Sequence, residues 1–300
     1  QRKERNGVMK NGTSYDIVLL GHFSVDRNIV AGHEAVQSGG AVFYGSIPAA
    51  RLGLRVAVIT KAAEKDFHML KPMEDAGVSV FPIASDSTTS IENRYLDDTQ
   101  ERRISTPLAF AGEYAIDELP RMEWKILHIA GLIRGEVGIE TLEELSKRGK
   151  LSADVQGFVR VIRGDKMVYE DWPEKREALP LLDFLKADAA EAEILTGETD
   201  VFKAAGILSG WGAGEIVLTH PGGVLVHTSD GHANFPFTPK EVLGRTGRGD
   251  TTICSYLSRR LSHGPIDSAA FAAALVSLKM EKQGPFSGSI EDVLKRMEKS

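Results

Sequence analysis

Cysteine is almost absent: Cys254 stands alone in 300 residues, so no disulfide can form within the chain and nothing calls for an oxidising compartment. A cytoplasmic setting is the default expectation. Long apolar runs are missing too, and with none near about eighteen residues the sequence offers no membrane-spanning helix. Positive charge is in deficit, 36 Lys and Arg against 42 Asp and Glu, for a formal net charge of −6. That balance gives no general attraction to nucleic acid or to an anionic membrane, and neither is expected as a partner. The eight histidines show no metal-ligand spacing, and His128, set in an apolar run, reads as structural. No Walker P-loop occurs. Gly210, Gly212 and Gly214 hint at a nucleotide fingerprint, but they follow a helical pattern and precede a strand, the reverse of the order required.

What is present is an ordinary soluble composition, 42% hydrophobic and 26% charged, on a chain long enough for one large α/β domain. Short apolar runs bounded by turn residues alternate with helical patterns. Strands are predicted at 17–21, 56–60, 78–82, 126–130, 151–155, 187–188 and 216–219, and helices at 41–52, 64–76, 138–148, 173–185, 190–196 and 199–208. This alternation implies a largely parallel sheet covered on both faces. A hairpin (224–228 with 232–237) then leads to three helices, 251–262, 265–282 and 289–299. Residues 1–14 are polar and basic and read as a flexible tail, leaving 15–300 as the domain. Two stretches break the alternation, about 23–33 and 88–106, the latter turning at 97–98. Their mixed polar and apolar character suits a small sheet projecting from the body, either a lid over a site or an exposed hairpin.

The segment 244–252, GRTGRGDTT, carries the sharpest chemistry. Gly247 and Gly249 permit backbone angles closed to other residues, so successive amides can turn toward one point at the start of a helix, with Asp250 beside them. An anion hole with a base is one reading, and a surface turn with Asp250 as an ordinary cap is the other. An adhesion role for the Arg-Gly-Asp triplet is disfavoured by the apolar helix that follows. Asp26 lies just past the first strand's carboxyl end, where open α/β sheets bind ligands and where a carboxylate can accept hydroxyl hydrogen bonds. Gly39 and Gly40 allow a small polar ligand close to bare backbone. Asp188 and Glu191, three apart at a helix start, would suit a Mg²⁺ ion held through water, or equally a capping box. Cys254 has no histidine partner in sequence and reads as a small hydrophobe.

Taken in order, Gly21 with Asp26, Gly39-Gly40, Asp188 to Glu191 with Thr196-Gly197, Thr219 with Gly222-Gly223, and Gly247 to Asp250 resemble the ribokinase-like (PfkB) sugar kinases over residues 16 to about 298. The resemblance implies a three-layer α/β/α sandwich with a small β-strand lid, and an ATP- and Mg²⁺-dependent phosphorylation of a hydroxyl on a small sugar or polyol. It implies Asp250 as base and an anion hole at Gly247, Arg248 and Gly249. It implies acceptor contacts from Asp26, Gly39, Gly40, Tyr44 and Arg94, nucleotide contacts from Asp188, Glu191, Thr219, Gly222 and Gly223, and Glu191 as the residue serving Mg²⁺. Some relatives are also activated by a monovalent cation near the final loops. An apolar lid face around Ile91 and Tyr95 would permit a homodimer. The sequence departs from the family pattern at Asp188 and Tyr44, both usually Asn, at Arg248, usually Ala, and at Gly244-Arg245, usually Asp-Thr. The added cations would compensate Asp188 or bind an anionic feature of a ligand. This pattern is nearer to the divergent inositol-kinase or uncharacterised-kinase members than to ribokinase itself; a nucleoside kinase and a catalytically silent relative are the alternatives.

Overall fold

The computed structural model describes residues 14–95 and 103–298. The expectations for the tail up to residue 13 and for the turn at 97–98 lie outside them, and Ser14 already belongs to the first strand. In chain order the elements are β1 (Ser14–Leu20), β2 (Ser24–Val30), β3 (His33–Gly39), α1 (Ala41–Arg51), β4 (Val56–Ala62), α2 (Lys71–Asp75), β5 (Ser79–Ala84), β6 (Ser90–Tyr95) and β7 (Arg103–Ala109). There follow β8 (Glu123–Ile129), α3 (Ile139–Ser146), β9 (Lys150–Asp154), α4 (Gln156–Val159), β10 (Arg160–Arg163), β11 (Lys166–Tyr169), α5 (Lys175–Ala178) and β12 (Phe184–Asp188). The chain closes with α6 (Ala189–Thr196), α7 (Val201–Gly210), β13 (Glu215–His220), β14 (Gly223–Thr228), β15 (Gly231–Pro236), α8 (Arg248–Arg260), α9 (Pro265–Met280) and α10 (Ile290–Met297).

Nine strands form the central sheet in the order β15-β14-β13-β12-β9-β8-β1-β4-β5, parallel from β5 to β13 and antiparallel at the β14 and β15 edge. The two faces can be read from β1. Val18 and Leu20 enter one hydrophobic core while Ile17 and Leu19 enter the other, because successive side chains of a strand point to opposite faces. Helices α3, α6 and α7 cover the first face, and α1, α8 and α9 the second, giving three layers. In β4 all seven residues are buried, the apolar run 56–59 followed by Thr60 and Lys61, as fits a strand covered on both sides. From β1 the chain builds outward to β4 and β5, then returns to place β8 on the other flank of β1. A crevice therefore opens at the carboxyl ends of β1 and β8, the position where such sheets bind ligands.

A second sheet of four strands, β3-β2-β6-β7, stands beside those carboxyl ends. Its first arm runs further than expected, since β3 continues to Gly39 and α1 begins only after Gly40. One further sequence expectation fails, and one element was missed. The helix predicted at 173–185 is only α5 and a 3₁₀ turn at Leu179–Leu181; Pro180 sits in that turn, and the apolar run from Phe184 pairs as β12 between β9 and β13. The hairpin of β10 and β11, turning at Gly164 with φ 61°, was not anticipated, and it places Arg160 at the cleft.

Candidate functional site

A cleft of about 530 Å³ lies over the carboxyl ends of the central strands, walled by the small sheet on one side and by the glycine-rich turn before α8 on the other. Gly247 is the N-cap of α8 with φ 76°, and a Cβ on it would stand 2.2 Å from Cγ of Tyr44. Both facts require glycine. The amide of Arg248 donates to the carbonyl of Arg245 (3.1 Å) and that of Thr251 to Gly247 (2.9 Å). Gly249 and Asp250 line the cleft in the first turn of α8, where helix amides have no acceptor within the helix and the helix's positive end adds to them, whereas the Arg248 amide is already taken.

Beneath the turn lies a buried group of charges. Lys186, near the end of β12 and 4% exposed, reaches Asp154 on β9 (3.1 Å) and Glu191 on α6 (3.5 Å). A Cβ on Gly249 would come within 2.9 Å of its Nζ, so the ammonium rests directly under the turn. Burial alone would pull Lys186 down, but Asp154, Glu191, Asp188 and Asp250 together hold it above its ordinary value. Burial pushes Asp250 upward, with Lys186 and Arg160 opposing. Asp154 and Glu191 are likewise raised by burial against the pull of Lys186. Arg160 is buried at the cleft wall and fixed by Gln156 (2.8 Å) and Tyr169 (3.1 Å).

On the opposite wall, Asp26 and Ser24 press against Gly39, whose absent Cβ would lie 2.5 Å from the Asp26 carboxylate and 2.8 Å from the Ser24 hydroxyl. The Ser24 hydroxyl is buried and has no hydrogen-bond partner among the described residues, as expected of a group reserved for a ligand. Asn93 is held by Asn28 (3.1 Å) and Ser105 (2.8 Å).

Of the residues expected from sequence, Asp26, Gly40, Tyr44, Asp188, Thr219, Gly247, Arg248, Gly249 and Asp250 line this one cleft. Others stand back from it. Gly39 supports Asp26 from behind, and Gly223 is glycine because the carbonyl of Phe235 occupies the space of its side chain. Gly222 belongs to the turn, where its amide meets His220 at 3.2 Å. Arg94 is exposed and paired with Glu92 at 3.1 Å, since strand alternation on β6 gives the cleft Ile91, Asn93 and Tyr95 instead. Ile91 and Tyr95 thus line the cleft and do not form an outer apolar face. Tyr44 packs its ring on Gly247 rather than presenting only a hydroxyl. The sequence reading missed Lys186, Arg160, Asp154, Ser24 and Asn93. A charged residue inside an apolar strand, as at Lys186 and Asp154, was the available signal.

Magnesium can be tested against these side chains. The described residues contain no group of three or more acidic, histidine or cysteine side chains fit to cage a metal. Asp188 and Glu191 close a capping box (2.8 and 2.7 Å), and Glu191 also meets Lys186. This donor set suits a Mg²⁺ ion that arrives on phosphate groups and keeps its waters; Asp188 lines the cleft, while Glu191, the residue expected to serve the ion, is buried behind it. Among the described residues no helix is long and apolar enough to cross a membrane.

Comparison with known proteins agrees with the architecture. The profile of the pfkB family of carbohydrate kinases matches residues 16–292. A cytidine kinase of Thermococcus kodakarensis is 28% identical over 262 residues, 81% of this chain and 87% of that protein. A pyrophosphate-dependent kinase in the ribokinase family, solved with a pyrophosphate analogue and myo-inositol, superposes with a TM-score of 0.86 at 36% identity, covering 93% of this chain and 99% of that one. Ribokinase of Arabidopsis thaliana, solved with ribose and ATP, shares the fold at a TM-score of 0.77 and 17% identity, over 96% of this chain and 100% of that one. The chain therefore belongs to the pfkB family of carbohydrate kinases and is a phosphotransferase with an alcohol group as acceptor.

Proposed function

We propose that the chain transfers a phosphoryl group from inorganic pyrophosphate to one hydroxyl of a cyclic polyol of the inositol class. The observation that carries this reading is the cationic donor wall: Arg160, Lys186, Arg245 and Arg248 surround one end of the cleft, while Gly222 and Gly223, expected at a nucleotide, stand away from it. Such a wall suits a compact, highly charged donor better than an adenosine. The solved relative at 36% identity, described with a pyrophosphate analogue and myo-inositol, supports both halves of the assignment.

Asp26, Ser24 and Asn93 hold the acceptor's hydroxyls, and Gly40 admits the ring close to the backbone. The small sheet, in this reading, acts as a lid that excludes water, a competing acceptor. Asp250 takes the proton of the attacking hydroxyl; its carboxyl, raised by burial, is a stronger base than a surface aspartate. The hydroxyl oxygen bonds to phosphorus, the bridging P–O bond breaks, and orthophosphate leaves. The amides of Gly249 and Asp250 receive the migrating group's negative oxygens, and Lys186 and the arginines offset the charge on the leaving phosphate. Magnesium, when bound, neutralises phosphate charge.

ATP, which kinases of this family use, is the second donor, favoured by Thr219 at the cleft wall. The 28% identical cytidine kinase favours a nucleoside as the second acceptor. The test is a matrix of pyrophosphate or ATP against myo-inositol, ribose or cytidine, followed by phosphorus NMR. Pyrophosphate with myo-inositol is expected to give a phosphomonoester with the highest kcat/KM. Turnover with ATP alone would sink the donor assignment, and preference for cytidine the acceptor assignment.

A further inference from the structure

We propose that the ammonium of Lys279 is a tethered monovalent cation for the glycine-rich turn, filling the carbonyl cradle that a free cation would otherwise need and so holding the amides of Gly249 and Asp250 in place. Lys279 lies one residue before the end of α9 and is 2% exposed. Its Nζ donates to the carbonyl oxygens of Gly244 (3.0 Å) and Thr246. Converging main-chain carbonyls on a compact cation are the means by which proteins hold monovalent ions. The next residue completes the clamp, as the carbonyl of Met280 accepts the amides of Leu243 (2.8 Å) and Gly244 (3.1 Å). Tyr44 joins the two ends: its ring lies 5.7 Å from Nζ of Lys279 and against the bare Cα of Gly247. The last turn of α9 therefore grips the backbone a few residues ahead of Gly249 and Asp250, which line the cleft.

A buried ammonium satisfied by carbonyls is an expensive way to fill space, and an apolar side chain of similar length would pack there without desolvating a charge. Burial draws Lys279 down to about 8, with Asp250 opposing and Arg248 adding to the shift. The charge is thus kept in a place that disfavours it, beside the end of the cleft where negative phosphate gathers. A free monovalent cation could sit at this place only if such carbonyls were open to it. Here the side chain already takes them. Lys279 is a positioning residue, acting on the reacting groups through the turn.

The inference rests on reading the turn as a phosphoryl site, and the test separates the two. Initial rates are compared in potassium, ammonium and tetramethylammonium chloride for the wild type and for Lys279→Ala, which leaves room for an ion. The wild type is expected to be indifferent to the cation. Lys279→Ala is expected to lose about 10²-fold in kcat in tetramethylammonium, as a misplaced turn would cause, and to recover severalfold in potassium or ammonium. A purely structural lysine would not give cation-specific recovery. Wild-type activation by potassium overturns the proposal, as does a folded Lys279→Ala with full turnover or with a loss that neither cation repairs. Should Lys279→Ala not fold, the wild-type comparison decides alone. If no donor supports turnover, the same cation series is read as the thermal shift produced by pyrophosphate, so failure of the assigned reaction is not mistaken for failure of this role.

Discussion

Two buried lysines flank the glycine-rich turn, and they are held in opposite ways. Lys186 comes up from the sheet, 4% exposed, between the carboxylates of Asp154 and Glu191. Lys279 comes down from α9, 2% exposed, onto two main-chain carbonyls. Burial is the largest influence on both and acts downward on both. It is overruled at Lys186 by full negative charges and wins at Lys279, where carbonyl dipoles are the direct partners. The first lysine is part of a balanced ion cluster whose removal in pieces is costly. The second is a charge kept against its environment's preference, which points to a role beyond stability.

The largest effect is expected where both lysines act, at Asp250. Asp250→Asn should lower kcat by about 10²–10⁴-fold while leaving the unfolding midpoint near that of the wild type, because the proposed base is lost and the backbone of the turn is kept. Near-normal turnover would break the mechanism. Next, Lys186→Met leaves Asp154 and Glu191 buried without their cation and should destabilise the fold by about 3–5 kcal/mol in urea titration. A loss below about 1 kcal/mol would show the cluster to be neutral already and erase the contrast between the lysines.

A gentler probe is the pH dependence of stability in the wild type against Lys279→Met. Between about 8, where folded Lys279 gives up its proton, and 10.5, its ordinary value, the unfolded chain binds more protons than the folded one. Stability of the wild type relative to the variant should therefore rise with pH in that window, by at most about 1.4 kcal/mol per unit. A falling difference would mean that Lys279 is favourably paired like Lys186. The smallest effect is expected on β6, where neighbours face opposite ways. Arg94→Ala should change stability by less than about 0.5 kcal/mol and leave kinetics untouched. Asn93→Ala should raise KM for the acceptor by about tenfold, the worth of one hydrogen bond.

Much of the architecture is legible in the residues because it rests on local periodicity. The apolar runs 17–20 of β1 and 56–59 of β4, each bounded by polar or turn residues, mark buried strands, and the glycine signature ahead of α8 marks a helix start. Where the pattern is ambiguous the reading slips: a short stretch such as 184–187, apolar but for Lys186, has no period of its own, and its pairing between β9 and β13 makes it a strand. In the site, the motif residues that need bare backbone or place a carboxylate beside a strand end or helix start, Gly40, Gly247, Asp26 and Asp250, line the cleft as expected. Gly223 fits the same motif, yet the nearby carbonyl of Phe235 explains its lack of a side chain.

The chain by itself determined the layered α/β fold, the turn at 244–250 and the aspartate that ends it, because backbone freedom, burial period and helix-end chemistry are properties of neighbouring residues. Only the tertiary structure decided which charges meet there. Asp154, Lys186 and Glu191 come from three elements, and Lys279 lies 33 residues beyond Thr246, whose carbonyl it holds. An ammonium's partners depend on distance in space, and no pattern along the sequence distinguishes one paired with carboxylates from one seated on carbonyls.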